Sequence, residues 1–427
     1  MAPLTTIDEF NPAAEPGCGP LIAVDAFAAR PLRQQIFELI RAAGTMPRVQ
    51  VAKDLGISPA SVTTLTSELI EIGLLEEVAL PRDAAEAARG RPPVALGVRA
   101  GADFTAGIKL SDRAHTAVLL DFAGNQMAED VLEIGCGDGC LEDMLATADR
   151  LLANLARKAG LARSDISALG LGVPGFVDHA SGRVFWSPVM EAGGIDVARA
   201  ASDRLGLPVT IDNDANLVAL AELWFGIGRR ESDFAVVTIE HGVGMGLVLN
   251  NRLYRGARGV GVELGHMKVQ LDGALCRCGQ RGCLEAYVAD YALAREANTA
   301  LNWHGKDGRP MKVQLESLYD HAKAGNLAAR SIFRRAGRYL ALGLANVVNL
   351  FDPALIILSG ERMRYDYLYA SDTLAELDSL VLKSGRTLPE IKVHAWGDLL
   401  WAYGAAALAL SSVTERRMGQ LRPVAAQ

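Results

Sequence analysis

His266-Met-Lys-Val-Gln-Leu-Asp-Gly-Ala-Leu-Cys276-Arg-Cys278-Gly-Gln-Arg-Gly-Cys283-Leu-Glu285 brings one imidazole and three thiols together within eighteen residues. Zinc takes four soft or borderline ligands in a tetrahedron, and Cys₃His is one of its structural sets. Gly279 and Gly282 lie between the thiols, where a tight loop needs backbone freedom. The expectation is a structural zinc site held by His266, Cys276, Cys278 and Cys283; the plainer reading is a group of buried free cysteines. A disulfide needs an oxidising compartment, to which nothing else in the chain points. Cys136 and Cys140 flank a Gly-Asp-Gly segment without further ligands and read as incidental thiols.

On either side of this loop, strands alternate with helices. Strands are expected at 104–110, 114–121, 168–173, 209–212, 234–239, 245–250 and 354–358, and helices at 141–159, 214–225, 326–349, 371–382 and 398–412. Such alternation implies an α/β fold. A pair of strands followed by helices, occurring twice, suggests two lobes with a cleft between them.

Upstream of residue 100 the pattern is different. Leu32, Ile36, Leu39 and Ile40 fall at helical spacing. Val49, Val51, Ala52 and Leu55 mark a short second helix ending at Gly56. Ser58-Pro59 starts a third, Ser being a good N-cap and Pro favoured at the first helical position. Its buried stripe is Val62, Leu65, Leu69 and Ile70. Two strands follow, through Leu74, Leu75, Val78 and Leu80 and through Val94, Leu96 and Val98, joined by Arg89-Gly90-Arg91-Pro92-Pro93. This is a winged helix-turn-helix with an arginine-rich wing tip. The first turns of the third helix would meet base edges through Ala60, Ser61, Thr63 and Thr64, and Arg89 and Arg91 would enter a minor groove or touch phosphates. The domain reading is a loose arm over 1–27, a DNA-binding head over 28–98, a two-lobed domain over 99–412 and a tail over 413–427.

In a chain of 427 residues, half of them hydrophobic, a sizeable core is available. The net charge of −7 argues against a surface coated for nonspecific nucleic-acid binding but leaves room for a local DNA-reading module. The first twenty residues carry Asp8, Glu9 and Glu15 and no apolar core, unlike a secretory leader, and no apolar run reaches membrane-spanning length. A cytoplasmic protein with no membrane partner is expected.

Further motifs carry a resemblance. Val173-Pro174-Gly175-Phe176-Val177-Asp178, Asp212-Asn213-Asp214-Ala215-Asn216, Gly242-Val243-Gly244-Met245-Gly246 and Glu263-Leu264-Gly265-His266, with the cysteine loop, resemble the ROK family of repressors and sugar kinases. The resemblance covers about residues 30–412. It implies a two-lobed actin-like, sugar-kinase (ribonuclease H-like) domain and a homodimer or homotetramer. A hexose presents a ring of hydroxyls, which carboxylates, carboxamides and an imidazole can satisfy with charge-assisted hydrogen bonds. Asn213, Asp214, Glu263, His266 and Glu285 supply that set, and the resemblance places their counterparts on sugar hydroxyls. It also makes Asp214 the counterpart of the kinase base. His266 is assigned to both zinc and sugar, since one ring nitrogen can ligate a metal while the other donates.

The kinases of that family place Asp-x-Gly-Gly-Thr after their first strand, so that bare backbone can approach ATP phosphates. Here the segment reads Gly107-Ile-Lys109-Leu-Ser111-Asp112-Arg113-Ala114, with Lys109 replacing the Asp and Ser111, Asp112 and Arg113 replacing Gly-Gly-Thr. Glu240-His241 precede Gly242 where small polar residues are usual, and Val262 stands where a Gly is common. The expectation is a sugar- or sugar-phosphate-responsive repressor acting on operator DNA, with no catalytic residue and Asp214 as a vestigial base. The alternatives are a sugar kinase with an appended head and a regulator controlled by a partner protein.

Overall fold

The computed structural model describes residues 5–9, 16–21, 30–79, 94–111, 114–133, 140–190, 193–301, 310–360, 371–383, 385, 387–395, 397 and 399–420. The elements begin with β1 (Thr5–Glu9), α1 (Leu32–Ala43), β2 (Thr45–Met46), α2 (Arg48–Asp54), α3 (Pro59–Glu71), β3 (Leu75–Ala79) and β4 (Val94–Val98). Next come β5 (Phe104–Lys109), β6 (Ala114–Asp121), β7 (Gln126–Glu133), α4 (Leu141–Ala159) and β8 (Ile166–Val173). They are followed by β9 (Phe176–Asp178), β10 (Arg183–Trp186), β11 (Ile195–Asp196), α5 (Val197–Leu205), β12 (Val209–Asn213) and α6 (Asp214–Phe225). Then come β13 (Phe234–Ile239), β14 (Val243–Leu249), β15 (Arg252–Tyr254), α7 (Glu285–Val288), α8 (Asp290–Ala300) and α9 (Met311–Lys323). The last are α10 (Leu327–Phe351), β16 (Leu355–Ser359), α11 (Ser371–Leu380), β17 (Glu390–Ala395) and α12 (Leu400–Gly419).

The head is α1, α2 and α3 with the three-stranded sheet β2-β4-β3. Its helices form because their apolar positions line one side: Ile36, Phe37 and Ile40 on α1 are fully buried, as are Val51 on α2 and Val62 and Leu69 on α3. Ser58 caps α3 as expected, its hydroxyl accepting from the Ser61 N–H at 3.0 Å. The strands pair antiparallel with Glu77 opposite Leu96. Two positions differ from the expected stripes. Val49 is 79 % exposed, and on α3 the buried place goes to Thr66 rather than to Ile70. The wing tip, with Arg89 and Arg91, lies outside the described residues, as do Cys136, Asp112 and Arg113.

Beyond the head, the sheet order β12-β8-β5-β6-β7 starts from the antiparallel run β5, β6, β7, and β8 and β12 add in parallel on the other side of β5. The second large sheet, β1-β17-β16-β13-β14-β15, repeats that order around β13, with β16 and β17 parallel to it. Central strands β13 and β16 are buried along their whole length, as strands covered on both faces must be.

The chain divides into two compact units. The head-bearing unit comprises Asn11–Ser232, Val248–Val260 and Asp398–Gln427, and the cysteine-bearing unit comprises Met1–Phe10, Asp233–Leu247 and Gly261–Gly397. In the former, α12 packs on β5, β8 and α6. The approach is backbone to backbone: a Cβ on Gly170 would stand 1.9 Å from the Ala405 carbonyl oxygen, and one on Gly404 would stand 1.9 Å from that of Leu217.

Two expectations are corrected. The stretch expected to be a loose arm contains β1, paired in parallel with β17. It also contains Cys18 and Gly19, whose amides donate to the Arg41 and Trp224 carbonyls. Main-chain pairing of this kind leaves no mark on composition. The expected tail is corrected as well: α12 runs on to Gly419, with Val413, Thr414 and Met418 buried. Among the described residues no helix is long and apolar enough to cross a membrane.

Candidate functional site

In the cysteine-bearing unit, the side chains of His266, Cys276, Cys278 and Cys283 converge, with their ligand atoms all within 4.8 Å of one another. Ligand atoms set tetrahedrally around one ion at 2.0–2.3 Å stand roughly 3.3–3.8 Å apart. The Cys276 Sγ to His266 Nδ1 and Cys278 Sγ to Cys283 Sγ separations are both 3.7 Å, so the group can hold a metal ion. The Lys268 ammonium lies 2.9 Å from the Cys283 sulfur, a placement that favours a thiolate. Burial pushes the Cys276 thiol up to about 12, and it is the charge of an ion that would oppose such a shift. The intervening backbone forms two isolated bridges, Lys268 with Cys283 and Leu275 with Arg281, and closes turn hydrogen bonds such as the Cys276 N–H on the Gln280 carbonyl at 2.8 Å.

Glu285, 9 % exposed, joins this loop to the glycine-rich one. Its Oε2 accepts from the Val243 N–H at 3.4 Å. Its Oε1 accepts from the Tyr291 hydroxyl at 3.3 Å and faces the Cys276 sulfur at 3.5 Å. The side chain expected on a sugar hydroxyl thus already holds two parts of its own unit together. His241, ahead of the glycine-rich loop, stands 3.1 Å from the buried carboxylate of Asp290.

Glu263 is exposed, and its φ of −77° and ψ of 64° make an inverse γ-turn closed by the Leu264 N–H on the Val262 carbonyl at 2.9 Å. Val262 before it has φ +69°, the left-handed region, which a β-branched residue enters at a cost of roughly 1–2 kcal/mol. Val262→Gly should therefore stabilise the protein by roughly 0.5–1 kcal/mol after glycine's own entropic cost. Thermal unfolding checks this, and a lower melting temperature in the variant would refute the strain.

In the head-bearing unit, Asn213 caps α6, accepting from the Ala215 N–H at 2.8 Å and donating to the Gly175 carbonyl of the Val-Pro-Gly loop. Asp214 is the first residue of α6. It keeps intermediate surface exposure yet sits in dense protein, and that burial raises its carboxyl, against the Lys109 charge and the Ala215 N–H, which lower it. Lys109 itself lies over the Trp401 ring, 3.4 Å from its centre. Asp212, fully buried, organises this corner. Its Oδ1 accepts from the Asn213 N–H and from Asn216 Nδ2, both at 2.8 Å, and its Oδ2 pairs with Arg255 at 2.7 Å. The sequence reading passed over Asp212 and Arg255. An aspartate directly before the Asn-Asp pair was visible, but its arginine partner, forty-three residues on, was not.

On the head, Ala60, Thr63 and Thr64 are exposed and Ser61 is half-buried, all in the first turns of α3. Cys140, read as incidental, caps α4, its sulfur accepting from the Asp143 N–H at 3.4 Å.

These features match known proteins. The chain is 28 % identical over 331 residues to the xylose repressor of Caldicellulosiruptor bescii, covering 75 % of this chain and 81 % of that protein. It resembles the crystal structure of a ROK family transcriptional regulator, a homologue of the Escherichia coli Mlc protein, with a TM-score of 0.72 and 26 % identity over 90 % of this chain and 96 % of the other. The ROK hexokinase of Thermus thermophilus matches with a TM-score of 0.62 and 29 % identity, covering 73 % of this chain and 99 % of its own. The family model described as ROK matches residues 117–412, and the chain belongs to the ROK family and shares the actin-like fold of these regulators and sugar kinases.

Proposed function

We propose that this protein is a sugar-responsive, DNA-binding transcriptional regulator, acting as a repressor of carbohydrate-utilisation genes. The observation that carries this reading is the head: a capped third helix with short polar side chains outward, joined in one chain to a kinase-like fold. The major groove admits such a helix, and its N-terminal residues reach base edges. Thr63→Glu/Thr64→Glu should cut operator affinity roughly 30-fold or more, since two carboxylates would face bases and phosphates. Both positions are exposed, so the fold should survive. Unchanged affinity in a mobility-shift assay would remove these residues from the interface.

The effector is a sugar or sugar phosphate, and the proposed contact residues are Asn213 and Asp214 in the head-bearing unit and, in the cysteine-bearing unit, Glu263 and His266 with Glu285 supporting them. No phosphoryl transfer follows. Lys109 and its ring partner occupy the end of β5, where the family's kinases carry Asp-x-Gly-Gly-Thr, and the Val243 N–H, a donor suited to phosphate, is already engaged by Glu285. The ion in the cysteine loop is zinc, by the Cys₃His donor set. It is structural, with all four positions taken by protein. The working form is a homodimer, or a tetramer, that presents two heads to the two halves of an operator.

Asp214→Asn should weaken sugar binding about 10- to 100-fold, the worth of a charge-assisted hydrogen bond of about 1.5–3 kcal/mol, while leaving sugar-free operator binding intact. Because the native carboxyl titrates higher than an ordinary aspartate, acidification should weaken sugar binding while an unperturbed aspartate would still be ionised. The Asn variant should be flat across that window. Titration calorimetry against a sugar panel, beside a coupled ATP-consumption assay, makes the test. ATP-dependent sugar phosphorylation abolished by Asp214→Asn would instead establish a kinase with a DNA-binding head.

A further inference from the structure

Within the head-bearing unit, α1 of the head meets α6 and α12 around a cavity of ≈ 490 Å³. That volume lies in the range of small-molecule sites. Its wall includes Arg41, in the last turn of α1, which is only 3 % exposed. The Arg41 guanidinium lies 4.6 Å from the centre of the Trp224 ring and 5.3 Å from that of Phe37. Its Nη1 donates to Thr414 Oγ1 of α12 at 2.8 Å, and its Nε has no partner among the described residues. No carboxylate among the described residues lies within ion-pair distance of it. Thr210 on β12 is another lining residue, and its Oγ1 is likewise buried without a partner among the described residues.

A guanidinium held this way is costly, and burial pulls its pKa down. The neighbouring groups relieve it only in part: burial and Arg30 oppose the charged form, and Cys18 and Glu38 favour it. Arg30 is paired with Glu38, and Arg255 with Asp212. Counting the lining side chains, four guanidiniums (Arg30, Arg41, Arg252, Arg255) face two carboxylates (Glu38, Glu415). The remaining wall mixes apolar side chains, among them Trp224, Leu223, Leu253 and Leu408, with the polar side chains of His179, Asn251, Ser411 and Ser412. A cation without a carboxylate partner, a hydroxyl without a partner and an apolar patch around Trp224 in one cavity describe a receptor for an anion with an apolar part.

We propose that this cavity is a second ligand site, taking a small organic anion whose oxyanion is received by Arg41 and Thr210 and whose apolar part packs against Trp224 and Leu253. A carboxylate and a phosphate ester share that chemistry. The ligand would tie α1 of the head to α6 and α12, and so bear on how the head is held. The site does not depend on the regulatory reading, and its test involves neither sugar nor DNA.

The test is titration calorimetry of the full chain with benzoate, phenyl phosphate and inorganic phosphate at constant ionic strength, together with bromide-soaked crystals. Saturable binding of benzoate or of phenyl phosphate is expected, the stronger of the two identifying the head group. Arg41→Met should weaken it at least tenfold. Thr210→Val, which leaves the buried arginine in place, should weaken it about two- to fivefold and serves if the first variant does not fold. An anomalous bromide peak should lie beside Arg41. The proposal is overturned if no probe binds saturably and no bromide peak appears there, or if both variants bind as the parent does.

Discussion

Cys276→Ala should strip the protein of zinc and melt the segment between His266 and Leu284. Zinc sites of this kind contribute about 10–16 kcal/mol of apparent binding free energy in finger peptides, far above the worth of any contact the loop makes without metal. The two isolated bridges and a few turn hydrogen bonds in that segment are weak beside such an ion. The effect should spread to Glu285, whose Oε1 faces the Cys276 sulfur and whose Oε2 holds the Val243 N–H. Loss of the ion should therefore loosen the glycine-rich loop and blunt the sugar response together. Metal analysis should find about one zinc per chain in the parent and none in the variant, and a strong chelator should reproduce the variant's melting curve. A metal-free parent that responds fully to sugar would end the assignment.

The second large effect is expected at Arg255→Met. Asp212 is wholly buried, and the variant leaves its carboxylate with only the His179 imidazole, 3.9 Å away; a fully buried pair broken from one side costs about 3–5 kcal/mol, and this partly exposed one should cost less. The Asn213 cap and the N-terminus of α6 hang on that same carboxylate, so sugar affinity should fall along with stability. Adding Asp212→Asn should recover much of the loss, because the amide oxygen still accepts from Asn213 and Asn216 while the stranded charge is gone. Chemical denaturation of the three variants checks the cycle; a single variant as stable as the parent would show the pair to be inert.

What could be read from the chain was what is local. Periodicity located α1, α2 and α3 and the β4 strand, and cap chemistry fixed where α3 begins, because these signals lie within one turn or one ladder. Val49 misled because residue type was counted without its neighbours. The strand β7 was passed over because its buried and exposed residues alternate weakly, and β9, β10 and β11 because ladders of two to four residues leave little pattern. The cysteine cluster was legible because ligand chemistry restricts residue type at short spacing. Sequence separation hid the rest: Arg255 meets Asp212 from forty-three residues away, and Arg41 meets Thr414 from 373. Nothing in the composition around either arginine marks its distant partner.

The placement of α12 bears on synthesis. It fills the grooves left by Gly107 and Gly170, yet it follows the whole cysteine-bearing unit in the chain. A ribosome therefore delivers the head and the β5 to β8 strands first, the cysteine loop later, and the helix that covers those strands later still. At about 5–20 residues per second, the exposed face of that sheet waits roughly ten seconds to a minute between the translation of β8 and that of α12. The cysteine-bearing unit has no such wait, since its last stretch closes at Gly397. In the growing polypeptide the later-made unit is thus the first that can finish folding, while the earlier-made one is still open to chaperones.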